Sequence, residues 1–295
     1  IRDRSVSRGL GDVYKRQLAD KAFEHQDYTK ALKLYKQCDA IEATILGKNH
    51  IWRMTTIANE GYCYSQLSDS TNAIKCFEAH QAACQQLYNL ECDAAMNTLF
   101  ALGHEYYNHQ FENHYPKALN AYFQAYELAK NLNDSINYNS SLYCISLCYF
   151  SQSQENNGDE QGKYLENAEV FVRELRNDNE EDRYLKNLIY DNLANFYNKK
   201  SEEYLQDSIT LQQALDYSQK ALETYQKKPD ADQGVKRLLE IYKMDCLIRS
   251  NKIQEAIELG EDLYAAFLPI RQQESENYQT LLQLSLIHIS EPTRH

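Results

Sequence analysis

LGHEYYNHQFENHYPKALNAYFQA, residues Leu102 to Ala125, decides the fold. Gly103 is followed three positions later by Tyr106, and further on Ala118 is followed by Tyr122 and Ala125. A glycine on one helix and an alanine on the next let two backbones approach closely. Bulky residues one turn away then fill the space on either side. The stretch therefore reads as two antiparallel helices, with Pro116 suited to the first turn of the second.

The same signature repeats along the chain. Anchor alanines recur at Ala31, Ala73, Ala118, Ala168, Ala214 and Ala256, with spacings of 42, 45, 50, 46 and 42 residues. Upstream of four anchors stands a small residue followed three later by tyrosine: Gly61 and Tyr64, Gly103 and Tyr106, Ser146 and Tyr149, Ala194 and Tyr197. Those four tyrosines are expected in the packing between helices. One hairpin cannot bury its apolar face alone, so neighbouring hairpins stack into an array.

Leu102-Gly103-x-x-Tyr106 with Ala118, Tyr122 and Ala125 resembles the tetratricopeptide repeat (TPR). "SQKALETYQKKP" (Ser218 to Pro229) looks like the end of such a unit, with proline after its second helix. The long period and "EATILGKNH" (Glu42 to His50) are similar to bacterial long-repeat and kinesin-light-chain-like arrays, although Ile51 stands where those usually have proline. The resemblance implies an all-α, right-handed superhelical solenoid of about six hairpins over residues 18–283. Gly47 is placed to end a helix that begins near Tyr28. The first unit is expected to lack most of its opening helix, and "RQQESENYQTLLQ" from Arg271 to open a further one. The polar insertions Ser151 to Lys163 and Lys199 to Ser208 are expected as solvated loops or short helical extensions.

The two ends carry a different signature. "VSRGLGDVYKRQ" (Val6 to Gln17) and "LSLIHISEPTRH" (Leu284 to His295) can be written, codon for codon, as the two strands of one DNA segment. That segment resembles a sequencing-library adapter. Residues 1–17 and 284–295 are therefore expected to be adapter-derived, and 18–283 to be the interior of a longer coding region.

Composition narrows the function classes. The chain has a formal net charge of −12, and its leading arm is net positive, so the excess acid lies in the repeats. An acidic chain repels phosphate backbones, so neither nucleic acid nor an anionic membrane is an expected partner. Nine glycines and four prolines in 295 residues favour helix over a βα enzyme. The eight cysteines include no C-x-x-C pair and read as buried thiols of a reducing, cytoplasmic compartment. Cys144 and Cys148 could share a helix face as metal ligands would, but no second pair at ligand spacing accompanies them. No metal or cofactor is expected.

"HEYYNH" nearly spells a zinc-protease helix, but His104 and His109 are five apart, roughly 140° around the axis, and cannot share a metal. No phosphate-binding glycine loop or nucleophile elbow is present, and the acid pairs Glu180-Glu181 and Glu202-Glu203 sit in polar stretches. The segment reads as a non-enzyme.

In the family it resembles, the first helix of each unit lines the concave surface. Transferred unit by unit, the groove positions are Thr55, Ala58, Tyr62 and Ser65, then Asn97, Phe100, His104 and Tyr107. Ser140, Tyr143, Leu147 and Phe150 follow, and then Asp191, Asn195, Asn198 and Lys199. The aromatic and amide stretch from Asn97 to Phe150, with Asp191 to Lys199, would take a peptide or protein segment. Phe100, Tyr107, Tyr143 and Phe150 are read more readily as packing rings than as contacts. The resemblance thus implies a protein-interaction scaffold. Its alternative is the sensory or regulatory portion of a signalling protein whose kinase, caspase-like peptidase or DNA-binding output lies beyond these residues.

Overall fold

The computed structural model describes the backbone of residues 2–47, 50–87, 93–108, 114–176, 179–207, 209–270 and 275–289. Every element among the described residues is a helix. The first hairpin is α1 (Arg2–Glu24) with α2 (Tyr28–Ile45), the second α3 (Ile51–Gln66) with α4 (Ser70–Leu87), and the third α5 (Asp93–Asn108) with α6 (His114–Asn131). There follow α7 (Ser135–Glu155) with α8 (Gly158–Val172), α9 (Glu180–Tyr204) with α10 (Leu211–Gln226), and α11 (Gln233–Arg249) with α12 (Ile253–Phe267). A lone α13 (Ser275–Ile289) packs against α11 and α12.

Each anchor alanine falls on the second helix of its hairpin and is buried, Ala31, Ala73, Ala118, Ala168 and Ala214 without accessible surface and Ala256 nearly so. The close approach they allow is tightest at the glycines. A Cβ on Gly103 of α5 would collide with the ring of Tyr122 on α6, and one on Gly61 of α3 would sit 2.7 Å from a ring carbon of Phe77 on α4. Both aromatic residues are buried. At its two glycines the small-residue signature therefore marks a helix crossing with a ring packed close against bare backbone.

The helices are joined by a recurring corner. Gln26, Ser68, Asn133 and Asn251 all have positive φ. At each, the following residue's N–H closes back on a carbonyl five residues upstream: Asp27 on Ala22, Asp69 on Tyr64, Asp134 on Ala129, Lys252 on Leu247. This is the left-handed helix ending that satisfies terminal carbonyls. In the first three corners that next residue is aspartate, and its carboxylate caps the next helix by accepting from the N–H of Lys30, Asn72 or Asn137. One residue thus closes one helix and the next opens another. Gly47 (φ +87) ends α2 as expected, and Pro116 lies in the first turn of α6.

Tyrosines stitch one hairpin to the one before it. Tyr106 donates to Glu78 Oε1 on α4 at 2.7 Å, and Tyr64 on α3 is covered by Lys36 Nζ of α2, 5.0 Å from its centroid. Glu78 and Lys36 stand five residues after successive anchor alanines, so one register position meets the tyrosine in both junctions. Tyr197 donates to Glu166 of α8 at 2.8 Å, from a different register, two residues before the anchor Ala168. Of the four tyrosines expected in the packing, Tyr106 and Tyr197 are buried. Tyr64 and Tyr149 are half-buried, Tyr64 beneath its lysine and Tyr149 stacked on Phe171.

The chain divides into two compact units, residues 1–148 and 149–295, with α7 running through the division. Unit one holds the clusters around Ala31, Tyr35 and Cys63 and around Met96, Leu99 and Leu128. Unit two holds those around Leu193, Tyr197 and Leu222 and around Ile241, Met244 and Phe267. Each fully buried side chain of this size contributes about 1.5–3 kcal/mol.

α1 begins at Arg2, so residues 2–17 form most of the opening helix of the first hairpin and only Leu18 to Glu24 come from the expected repeat region; it packs against α2, and Arg16 Nη1 lies 3.5 Å from Glu42 Oε1. At the other end α13 runs past Gln283 to Ile289. Helices pass through both expected boundaries because the flanking residues also permit helix. The polar insertions are short helical extensions with breaks, as expected: residues 151–155 continue α7 and 158–163 open α8 on either side of Asn156 and Asn157, while 199–204 continue α9 into a turn, since runs of Gln, Glu, Lys and Ser continue a helix at little cost.

Candidate binding surface

Asn97, Phe100, His104 and Tyr107 recur on α5 at intervals of three and four, so they share one face. Asn97 and His104 are exposed, whereas Phe100 and Tyr107 are half-buried. Phe100 leans on the cluster containing Met96, Leu99, Ala125 and Leu128. The Tyr107 ring meets Tyr115 edge-on at 6.2 Å.

His104 is fixed from below. Because Gly103 has no side chain, Tyr122 crosses α5 there, and its hydroxyl shares a hydrogen bond of 3.1 Å with His104 Nδ1. The two rings meet edge-on at 5.7 Å. Burial raises the Tyr122 phenol pKa well above its ordinary value. The crowded ring of His104 has its pKa lowered for the same reason, although one edge faces solvent. Both groups are therefore neutral near pH 7, and the imidazole is held in one orientation with Nε2 left for another partner. His109 lies outside the described residues.

Tyr143 and Leu147, half-buried one turn apart on α7, complete the positions in unit one. In unit two Phe150 packs beside Leu165, Leu193 and Tyr197. Asp191 is bound by Lys228 Nζ at 2.7 Å, and Asn198 Nδ2 donates to Glu202 Oε1 at 3.0 Å. Asn195 and Lys199 are exposed. The positions carried to α3 fare differently: Ala58 is buried and Tyr62 lies 5.0 Å from Phe77. Tyr62 stands one residue after Gly61 as His104 stands one after Gly103, and each meets the ring that crosses its glycine, but Tyr62 is half-buried there whereas His104 is exposed.

Sequence reasoning did not find the residues that act on these positions from elsewhere. Tyr122 was legible as a packing ring but not as the support of His104. Lys228 carried no signal toward Asp191, 37 residues away. Cysteine chemistry contributes nothing to the surface. Burial pushes the Cys63, Cys76, Cys144 and Cys148 thiols up to about 12, which keeps them protonated and inert. Cys92 lies outside the described residues. Among the described residues no cluster of three metal-ligating side chains occurs, and no helix is long and apolar enough to cross a membrane.

The repeated hairpins, with their buried alanine anchors and tyrosine stitches, make this a TPR-like, all-α chain. No protein-family model matches it, and no curated protein matches it. Among solved structures it is similar to the apo form of RapI, at 12% identity and TM-score 0.47, over 95% of this chain and 97% of that one. It is also similar to BtubC (BKLC) from P. vanneervenii, at 16% identity and TM-score 0.45, over 87% and 92%. A third is NprR in complex with its cognate peptide NprX, at 14% identity and TM-score 0.43, over 96% of this chain and 74% of that one. These are likenesses of fold.

Proposed function

We propose that this chain is a protein-interaction scaffold which binds a peptide or protein segment on the faces of its first helices, without catalysis. The observation that carries the reading is the supported imidazole of His104, exposed between Asn97 and Tyr107 and oriented by the buried Tyr122 hydroxyl. A polar group held at a fixed angle beside aromatic surface suits recognition of a peptide carbonyl, because little side-chain freedom remains to be lost on binding. In unit two, Asn195, Asn198 and Lys199 offer amide and cationic contacts, while Asp191 is neutralised by Lys228. The acidic surplus of the chain disfavours nucleic acid as the bound segment.

The test is a peptide-array screen of the full chain, followed by fluorescence titration of the best binders. The double variant His104→Ala/Tyr107→Ala should weaken those peptides at least tenfold while the helical circular dichroism is retained. Equal binding by the variant would remove α5 from the site and the reading with it.

A further inference from the structure

Hairpin five holds two tyrosines unlike those that stitch the helices together. Tyr106, Tyr122 and Tyr197 commit their hydroxyls to Glu78, His104 and Glu166. Tyr204, the last residue of α9, and Tyr217 of α10 are half-buried with parallel rings, their planes within 2° and their centroids 5.5 Å apart. Neither hydroxyl has a hydrogen-bond partner among the described residues. Burial raises the Tyr217 phenol pKa above its ordinary value, so that hydroxyl keeps its proton. The two rings line an open cavity of about 370 Å³, completed by Gln213, Asp216 and Lys220, at the lower end of the range for ligand sites. Ile209, 87% exposed, stands four residues ahead of Gln213 in the turn that leads into α10.

The surroundings set the sign of the ligand. Lys220 Nζ lies 5.5 Å from the Tyr197 centroid and 5.4 Å from that of Tyr217. Lys200 is held between Asp159 at 2.8 Å and Glu203 at 3.1 Å, and the charges of Lys200, Asp159 and Glu166 all reach the Tyr217 phenol. Asp216 accepts from the Gln212 amide at 2.8 Å and pairs with no cation among the described residues. Asp159, Glu166, Glu203 and Asp216 thus outnumber Lys200 and Lys220, which favours a basic ligand.

We propose that this groove docks a proline-rich segment that carries a basic residue, in a site separate from the α5 surface and independent of the function proposed there. A helical ligand has its carbonyls bonded internally and offers little to two free hydroxyls. An extended strand needs an open backbone edge to pair with, and the groove presents side chains only. A polyproline II segment has no internal hydrogen bonds, so its carbonyls accept from Tyr204 and Tyr217. Its pyrrolidine rings rest against the aromatic surface, and its preformed backbone loses little freedom in a shallow site. The basic residue faces Asp216.

The probe is a rhodamine-labelled Arg-Pro-Pro-Pro-Pro-Pro amide, titrated into the full chain and followed by fluorescence anisotropy. Saturable binding is expected, about tenfold weaker when serines replace the prolines or glutamate replaces the arginine. Tyr204→Phe/Tyr217→Phe keeps both rings and removes both hydroxyls, and should weaken the peptide about tenfold with the circular dichroism unchanged. Asp216→Lys, at an exposed position, should weaken the arginine peptide and strengthen the glutamate one. His104→Ala/Tyr107→Ala should bind the probe as the wild type does, so that failure of the α5 surface leaves this site standing. Binding that does not saturate, equal binding of the serine peptide, or wild-type affinity in Tyr204→Phe/Tyr217→Phe would overturn the proposal, as would loss of binding in the α5 variant.

Discussion

Hairpin three in unit one and hairpin five in unit two solve the same packing problem differently. In α5/α6 the close approach is inside the hairpin, where Gly103 accepts the Tyr122 ring. In α9/α10 the equivalent position is Ala194, buried but with a Cβ. The unit's tight glycine is instead Gly162 of α8, into which the Phe196 ring of α9 intrudes, so there the crossing lies between hairpins. Unit two then adds surface ion pairs across long sequence separations, Arg183 with Asp230 (Nε to Oδ2 2.9 Å), Lys227 with Glu169 (2.7 Å) and Lys228 with Asp191 (2.7 Å). Hairpin three holds itself by shape, whereas α9 and the corner after α10 are also held by charge. A repeat motif thus specifies that helices must approach closely, but leaves open which pair does so.

The sharpest way to break this comparison is at Gly103. Gly103→Ala gains helix propensity but drives a methyl into Tyr122, and should lower the stability of unit one by about 1–3 kcal/mol. Urea denaturation would measure it. A neutral or stabilising result would mean that Tyr122 yields freely and that the crossing is no tighter than the one at Ala194.

A second difference is electrostatic. Glu60 of α3 is buried, and burial, followed by the charge of Asp39, pushes its pKa up to about 7. Lys36 and Arg53 oppose that rise, while Glu42 and the neighbouring thiols of Cys63 and Cys76 do not. Since the folded-state value lies above the ordinary carboxylate value, stability is fully present below the unfolded value and is lost as pH rises through about 7. From pH 5 to pH 8 unit one should lose about 2 kcal/mol, with allowance for residual solvent screening. Glu60→Gln should flatten that slope. If the urea midpoint of this variant retained the wild-type pH dependence, another group would be responsible.

The smallest effect is expected for the ion pairs of unit two. A double-mutant cycle on Lys228→Gln and Asp191→Asn should give a coupling of about 0.5 kcal/mol that shrinks in high salt. A coupling of several kcal/mol, insensitive to salt, would place this pair among the main supports of α9 and remove the contrast between shape and charge.

Much of the fold was legible because helical packing leaves a local periodic trace. Gly103, Tyr106, Ala118 and Tyr122 stand at spacings that put them on facing helix surfaces, and every anchor alanine is buried as that spacing required. The candidate surface was legible only in part. Asn97, His104 and Tyr107 share a face as the period predicts. Ala58 and Tyr62 occupy the corresponding positions on α3 and are more covered, Ala58 buried and Tyr62 half-buried against Phe77, a difference in burial that the spacing does not encode.

By itself the sequence determined the number and order of the hairpins, which helix of each carries the anchor, and the absence of phosphate-binding or nucleophile motifs. These follow from residue type and interval along one chain. Only the tertiary structure decided that Tyr122 reaches His104, that Tyr106 finds Glu78, that Phe196 fills the space beside Gly162, and that Tyr204 lies parallel to Tyr217. Those pairings depend on the offset between stacked helices. That offset is set by the summed fit of all the side chains at each interface and leaves no periodic mark in the sequence.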